Sequence, residues 1–324
     1  MKVLVTGATG FIGRRLVERL RSNGHEIVAL VKSAPKNFPD GIRLVYGDII
    51  NPESLGDAGV GCERLYHLAA LITFDVRRRA DLLRVNGDGT ANILAAARRW
   101  NIARTVVVSS ACTMGLSYRQ DCVLDEESPL EQRLVEFNPY MESKLVAERA
   151  AQNASRAGHV VIVNPTTVYG PGDCSLNSGT LVLQVARGRM LPLPPGGSNV
   201  VDVDDIVDGI MAAGERGVSG RRYILGGENL TFAQIFATVA SVVHRRPILI
   251  PLPGWMRSPM TFAAWLMGRI IGNRFLTPQI VGDLFSFKFY SSDLAARELG
   301  WLPKYSFGAS VERAWDFYQR EKLV

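Results

Sequence analysis

The stretch "NPYMESKLVAE", residues 138–148, places Tyr140 and Lys144 four residues apart at the opening of a helix-like run. On a helix that spacing puts both side chains on one face. A free tyrosine titrates at about pH 10, and a neighbouring ammonium stabilises its phenolate and lowers that value. A phenol tuned in this way can give a proton to a carbonyl oxygen or take one from an alcohol. The pair alone is weak evidence, because Tyr and Lys at i,i+4 on a helix more often make an ordinary surface pair. Ser109 and Ser110, which end the β-branched run "TVVVSS", offer a hydroxyl that could polarise the same oxygen. Their bland alternative is a strand-end hydroxyl bonded to local backbone.

A second pattern lies at the start of the chain. "VTGATGFIGRRL" sets Gly7, Gly10 and Gly13 directly after a strand-like run and at the start of a helix. Glycine suits that place because the backbone must turn tightly, let a pyrophosphate approach with no Cβ in the way, and then pack the helix close to the sheet. The N–H groups at the helix start attract phosphate charge. In a strand-turn-helix setting this triplet reads as a dinucleotide loop.

The elements that must position these residues are legible as short apolar runs separated by helical stretches. "KVLVT", "EIVAL", "IRLVY", "RLYHL", "TVVVS" and "VVIVN" are continuous enough to be strands buried on both faces. Helices are expected at about 11–23, 80–100 and 140–157, the second carrying the good helix formers of "ANILAAARRW". The fold class is therefore α/β, a Rossmann-type doubly wound parallel sheet. After Pro165 the composition shifts to "YGPGD" and "LPLPPGG" with shorter elements. This divides the chain into a dinucleotide-binding domain over 1–170 and a mainly substrate-binding region over 171–324, with a helix at about 204–217 returning to the first domain. "RYILGGENLTFAQIFATVA" reads as a strand, a turn and a helix capped by Thr231.

The GxxGxxG spacing, with the YxxxK pair placed between the fifth and sixth strands, resembles the extended branch of the short-chain dehydrogenase/reductase superfamily. The resemblance implies that Tyr140 and Lys144 are catalytic, with Lys144 also reaching the nicotinamide ribose and the positive nicotinamide joining the ammonium in stabilising the phenolate. It implies Ser110 as the third catalytic group, because the interval from Ser110 to Gly115 matches the family's; Ser109 is the fallback. Cofactor contacts fall by the same resemblance on Gly7, Gly10, Phe11, Ile12 and Gly13, on Lys32, on Asp48 and Ile49 after the third strand, on Leu68, Ala69 and Ala70 of "HLAA", on Tyr140 and Lys144, and on Pro165 and Val168 of "NPTTVYGPGD". Asn86 in "VNGDGT" lies near the active-site helix in the family. At the end of the second strand, where an acid would hold a ribose 2′-OH, Val31 stands instead and Lys32 follows it. A cation without a carboxylate favours NADP over NAD, which stays possible.

Departures from the family pattern narrow the substrate. Ala111 and Cys112 occupy the places where sugar-nucleotide 4,6-dehydratases carry an Asp-Glu pair, so dehydration is not expected. Thr167 and Ser198 replace the asparagine and arginine that epimerases set near a diphosphate. The chain is more similar to the dihydroflavonol-4-reductase-like branch, including the hopanoid-associated sugar epimerases, and to hydroxysteroid dehydrogenases. The expected activity is NADP-dependent reduction of a carbonyl, or oxidation of an alcohol, on a lipophilic small molecule. A nucleotide-sugar or sugar epimerase with bound NAD is the alternative, and a non-catalytic dinucleotide sensor is a third possibility that retention of both Tyr140 and Lys144 disfavours.

Bulk properties set the remaining limits. The net charge of +6 is accompanied by basic clusters at Arg77–Arg79, Arg98–Arg99, Arg221–Arg222 and Arg245–Arg246, scattered along the chain with no nucleic-acid motif. The four cysteines, Cys62, Cys112, Cys122 and Cys174, form no CxxC pair or metal-ligand spacing, so no metal and no disulfide framework is expected. Cys112 is taken as packing. A reducing cytoplasm fits best, since Thr and Gly break the first apolar run too soon for a signal peptide. Residues 254–275 are rich in Trp, Met, Phe and Ile but interrupted by Arg257, Pro259 and Arg269, which rules out a transmembrane span there. A packed helix, a lid over a lipophilic substrate and a membrane-surface helix are the readings left open. The family resemblance adds a homodimer through the helices near 80–100 and 140–157.

Overall fold

The computed structural model describes residues 1–35, 38–73, 75–136, 138–176, 178–270 and 277–324. The first half alternates strand and helix: β1 (Lys2–Thr6), α1 (Phe11–Ser22), β2 (Glu26–Val31), β3 (Arg43–Tyr46), β4 (Arg64–His67), α2 (Arg79–Leu82), a π-helical turn (Leu83–Asp88), α3 (Gly89–Arg99), β5 (Arg104–Val108), α4 (Gln132–Glu136), α5 (Pro139–Ala154) and β6 (His159–Pro165). The second half contains β7 (Thr167–Tyr169), α6 (Gly179–Arg187), β8 (Met190–Leu193), β9 (Gly197–Asp202), α7 (Val203–Arg216), β10 (Arg222–Leu225), β11 (Glu228–Thr231), α8 (Phe232–Val242), β12 (Ile248–Pro251), α9 (Arg257–Ile270), α10 (Pro278–Leu284), β13 (Phe287–Lys288), α11 (Asp293–Leu299) and α12 (Phe307–Arg320).

Seven strands form one sheet in the order β10-β6-β5-β4-β1-β2-β3, every neighbouring pair parallel. Val3, Leu4 and Val5 of β1 are all fully buried, as a strand covered on both faces requires. On one face α1 and α7 pack through Leu16, Val17, Leu20, Ile206 and Ile210; on the other, α3 packs through Ile93, Ala96 and Ala97. This is the doubly wound arrangement, and its strands point their carboxyl ends at one edge, where ligands of such sheets bind.

A smaller body sits over that edge. β9 is its central strand, flanked by β11 and β13 and also paired with β7, while β8 and β12 form a separate parallel pair. Its core joins Val182, Ile235, Phe236, Val311 and Tyr318. The chain passes between the bodies more than once: α7 packs in the main core, β10 completes the main sheet beside β6, and Leu299 and Trp301 rejoin the same core.

Two local details differ from the sequence expectation. The helix expected over 80–100 runs without a gap but winds as a π turn over Leu83–Asp88, whose Gly87 packs so close to α5 that an added Cβ would lie 2.8 Å from Val146 Cγ1. Between β10 and α8 a second strand, β11, intervenes; Thr231 ends it and caps α8 in a reciprocal capping box with Gln234.

Charge ties the bodies together. Asp204 at the start of α7 accepts hydrogen bonds from Arg15 of α1 at 2.6 and 3.0 Å and from Arg313 of α12, while Arg313 also reaches Asp202 at 2.9 Å. Burial pushes the Asp204 carboxyl up, but the bonds from Arg15 and Arg313 outweigh it and hold the group below its ordinary value of 3.8. A carboxylate held low stabilises the fold above the ordinary carboxylate range and loses that contribution as the pH falls through the folded value. Asp204→Asn is expected to lower stability at neutral pH by about 2 kcal/mol. Thermal melts across the acid range check this, the gap between the two proteins closing as the pH drops.

Candidate active site

The glycine turn is shaped by contacts that only glycine allows. Gly7 has φ +69°, and a Cβ there would lie 2.6 Å from Leu68 C and Ala69 N. A Cβ on Gly13 would lie 2.0 Å from Gly7 O, so α1 is seated directly on the turn. At Gly10, by contrast, an added Cβ meets only Gly7 O at 3.4 Å, and the residue is exposed. Gly10 also caps α1 with no side-chain bond, leaving N–H groups at the helix start for an anion. This cradle fits a dinucleotide's pyrophosphate.

Hydroxyls and a neutral histidine hold the facing loop. Thr6 Oγ1 lies 2.7 Å from His67 Nδ1 and accepts from Ala69 N–H at 3.2 Å, and His67 Nε2 lies 3.0 Å from Thr90 Oγ1. Burial, then the charge on Lys144, push His67 down to about 3, so the ring is neutral. Asn86, inside the π turn, accepts from Leu71 N–H at 2.7 Å and donates to Ser143 Oγ at 2.9 Å, fastening the loop to α5 beside Lys144.

Asn138 starts α5 by accepting from Met141 N–H at 2.9 Å, with Pro139 in the first turn. Tyr140 is half-buried and hydrogen-bonds Ser110. Lys144, one turn further on, is 5% exposed and donates to Val108 O at 3.1 Å, where β5 ends. Burial lowers its ammonium to about 8, with Cys112 and the Glu148 carboxylate opposing. Within the protein, burial pushes the Tyr140 phenol well up and Cys112 adds to this, with the Ser110 bond opposing.

Beneath the pair lies a buried carboxylate that sequence reasoning passed over. Glu148 Oε1 accepts from Ser109 Oγ at 2.5 Å and from Asn164 Nδ2 at 2.6 Å, and lies 2.8 Å from Thr113 Oγ1. Asn164 Nδ2 and Thr113 Oγ1 are also within 3.1 and 2.8 Å of Ser110 O. Ser109 thus faces the carboxylate while Ser110 faces Tyr140. Glu148 follows Lys144 by the same four residues that separate Lys144 from Tyr140, a spacing that could have identified it.

Ser110, Tyr140 and Pro165 line one cavity of 180 Å³, together with Cys112, Leu116, Met141, Thr167, Gln279, Lys288 and Tyr290. Cys112, expected as packing, is therefore a wall of the cavity; burial pushes its thiol up to about 11, with the Ser110 bond opposing, so it is held protonated. The other residues expected at the cofactor lie outside this cavity's lining. Phe11 lies against Gly172, Ile12 and Val168 pack partly against the main core, and Ile49 packs on Gly89 of α3. Leu68, Ala69 and Ala70 are half-buried at the end of β4. Lys32, 69% exposed in its side chain, makes an ion pair with Asp48 at 2.7 Å. Burial raises the Asp48 carboxyl, but Lys32 and the Ile50 N–H bring it below its ordinary value.

A model of the NAD dependent epimerase/dehydratase family matches residues 3–226. The chain belongs to that family. It is an extended short-chain dehydrogenase/reductase and an NAD(P)-dependent oxidoreductase, with the family's parallel sheet, glycine turn and YxxxK helix. Among curated members, it is 33% identical to a provisionally named dihydroflavonol 4-reductase of Synechocystis sp., over 99% of this chain and 95% of that one. It is 32% identical to the sterol demethylase protein B of Methylococcus capsulatus, over 99% of both chains. Among solved members, the crystal structure of gox2253 superposes with a TM-score of 0.87 at 29% identity, over 98% of each chain.

In this family member the Glu148 charge helps keep Lys144 protonated, so Glu148→Gln should lower the lysine's value further. In the direction of carbonyl reduction, kcat/KM is expected to fall as the pH rises through about 8, where the ammonium is lost. For Glu148→Gln the falling limb should move to lower pH. A pH–rate profile checks this; an unmoved limb would remove Glu148 from the site's electrostatics.

Proposed function

We propose that this oxidoreductase reduces a carbonyl group on a lipophilic small molecule, with NADPH as the preferred cofactor. The observation that carries the substrate class is at Thr167 and Ser198. Where a diphosphate would need an amide and a guanidinium, two hydroxyls bond each other at 2.8 Å. The guanidinium is missing there, and Lys288, the cation of the same lining, is engaged by Asp283 at 3.0 Å, so a doubly charged group would be poorly neutralised. Leu116, Met141 and Pro165 supply an apolar lining beside them. The sterol named in the relative from Methylococcus capsulatus is a molecule of the matching kind.

When bound, the nicotinamide supplies the hydride. Gly7, Gly10 and the start of α1 would hold the pyrophosphate, with Leu68 and Ala69 along its flank. Ser110 donates a hydrogen bond to the carbonyl oxygen and orients it toward Tyr140. Tyr140 gives its phenolic proton to that oxygen as negative charge develops there, and Lys144 stabilises the phenolate left behind. Met141 and Pro165 keep water from the reacting face. Run backwards, the same groups remove the hydroxyl proton of an alcohol.

For the cofactor, Lys32 supports the 2′-phosphate form. Its ion pair with Asp48 is exposed, and such pairs contribute about 1 kcal/mol or less, so a phosphate can compete for the ammonium. Fluorescence titration is expected to give tighter binding of NADPH than of NADH, and Lys32→Ala should weaken NADPH about tenfold while sparing NADH. Tighter NADH binding would overturn the preference. Tyr140→Phe should leave cofactor affinity nearly intact and lower turnover of a carbonyl substrate by about a hundredfold or more. Unchanged turnover would exclude Tyr140 as the proton donor, and no turnover of any carbonyl by the parent protein would exclude the reductase reading.

A further inference from the structure

Trp255, just ahead of α9, and Phe262 and Trp265 on it are 75%, 61% and 45% exposed, and Leu266 and Met267 are 39% and 37% exposed. Phe262 and Trp265 stack on each other with centroids 5.8 Å apart. The other edge of the same segment is already used: Met256, Met260 and Ala264 pack on Val281, Leu284 and Phe285. Helix α9 therefore carries apolar side chains both toward the protein and away from it. Exposed aromatic and aliphatic side chains grouped on one helix mark an interaction site more often than a neutral surface.

Charge identifies the occupant. Between Glu228 and Asp283 the chain has no carboxylate but five arginines, Arg245, Arg246, Arg257, Arg269 and Arg274. This one-sixth of the chain thus holds five of its six net positive charges. Two of these cations belong to α9 itself: Arg269 lies 5.0 Å over Trp265 of the aromatic face, and Arg257 lies 4.2 Å over the exposed Tyr118 ring. A second copy docked symmetrically on this face would bring Arg257 and Arg269 against their own counterparts. Among the described residues no helix is long and apolar enough to cross a membrane.

We propose that α9, with Trp255 before it, lies in the surface of an anionic bilayer. The aromatic and aliphatic side chains enter the headgroup boundary, and the arginines meet lipid phosphates. The same surface adjoins the reaction cavity. α9 packs on α10, whose Gln279 and Asp283 line that cavity, and Arg257 covers Tyr118, two residues beyond the lining residue Leu116. At 180 Å³ the cavity is smaller than the roughly 300 Å³ or more of a whole-ligand pocket. It suits the reacting end of a molecule whose remainder stays in lipid. That last consequence rests on the carbonyl-reductase reading; the membrane contact does not.

Flotation of the whole protein with two kinds of vesicle tests the contact. Binding is expected to equimolar phosphatidylcholine–phosphatidylglycerol vesicles and to be far weaker with phosphatidylcholine alone, and raised salt should reduce it. The triple variant Trp255→Ser, Phe262→Ser, Trp265→Ser should lose binding, and Arg257→Gln with Arg269→Gln should lower the partition coefficient on the anionic vesicles about tenfold. Melting curves matching the parent's show that the variants fold. Equal binding to both vesicles, binding to neither, or a folded triple variant that binds like the parent overturns the proposal. So does self-association that the triple variant abolishes in a protein that ignores vesicles. Carbonyl turnover is not read here, so this failure is distinct from a failure of the reductase reading.

Discussion

Glu148 lies where β5, β6 and α5 meet, and its carboxylate is almost wholly out of water. Leaving such a group unbonded would cost several kcal/mol. Ser109, Thr113 and Asn164 must therefore stay turned toward it, and two of these also lie at Ser110 O. The satisfaction of one buried charge thus fixes where the strand ends and which of two adjacent serines faces the cavity. Lys144 is fixed from the opposite side by the last carbonyl of β5. The hydroxyl comes from the end of β5 and the phenol and ammonium from α5, and the two stretches are joined by a polar cluster that belongs to the fold as much as to the chemistry.

Much of the framework was legible because it is local. Six short, largely apolar runs became six parallel strands, buried on both faces except at the sheet edge, where β3 stays partly exposed. The glycine triplet was legible for a steric reason that the structure makes explicit at Gly7 and Gly13. What escaped depends on distant partners. "RYIL" is as short as strands of the smaller body, and only its pairing with β6 makes it the seventh strand of the main sheet. The π turn lies where Gly87 comes close to Val146 of α5, and nothing in "LRVNGD" alone announces it. At Tyr140 the charge of its neighbour was visible in the sequence but its burial was not, and burial dominates.

The smaller body shows a related division. Its core is ordinary, with Phe236, Val239 and Val311 closing on one another, but its outer helix departs from the rule that apolar side chains face inward. Periodicity could not separate a packed helix from a lid or an interfacial helix, because α9 is apolar on more than one side. The absence of carboxylates over the same stretch is a compositional feature that a search for helical stripes overlooks, and it carries the electrostatic half of the distinction.

The Arg15–Asp204–Arg313 cluster also has a consequence for biosynthesis. Its members come from the first, seventh and last helices, and Leu299 and Trp301 of the main core also lie far down the chain. An amino-terminal half leaving the ribosome can form its first five or six strands early, as domains usually do. It gains its seventh strand only after two-thirds of the chain is made, and remains without part of its core and the last guanidinium of the cluster until synthesis is nearly finished. Nascent chains arrested before α12 should therefore be the ones that need chaperones.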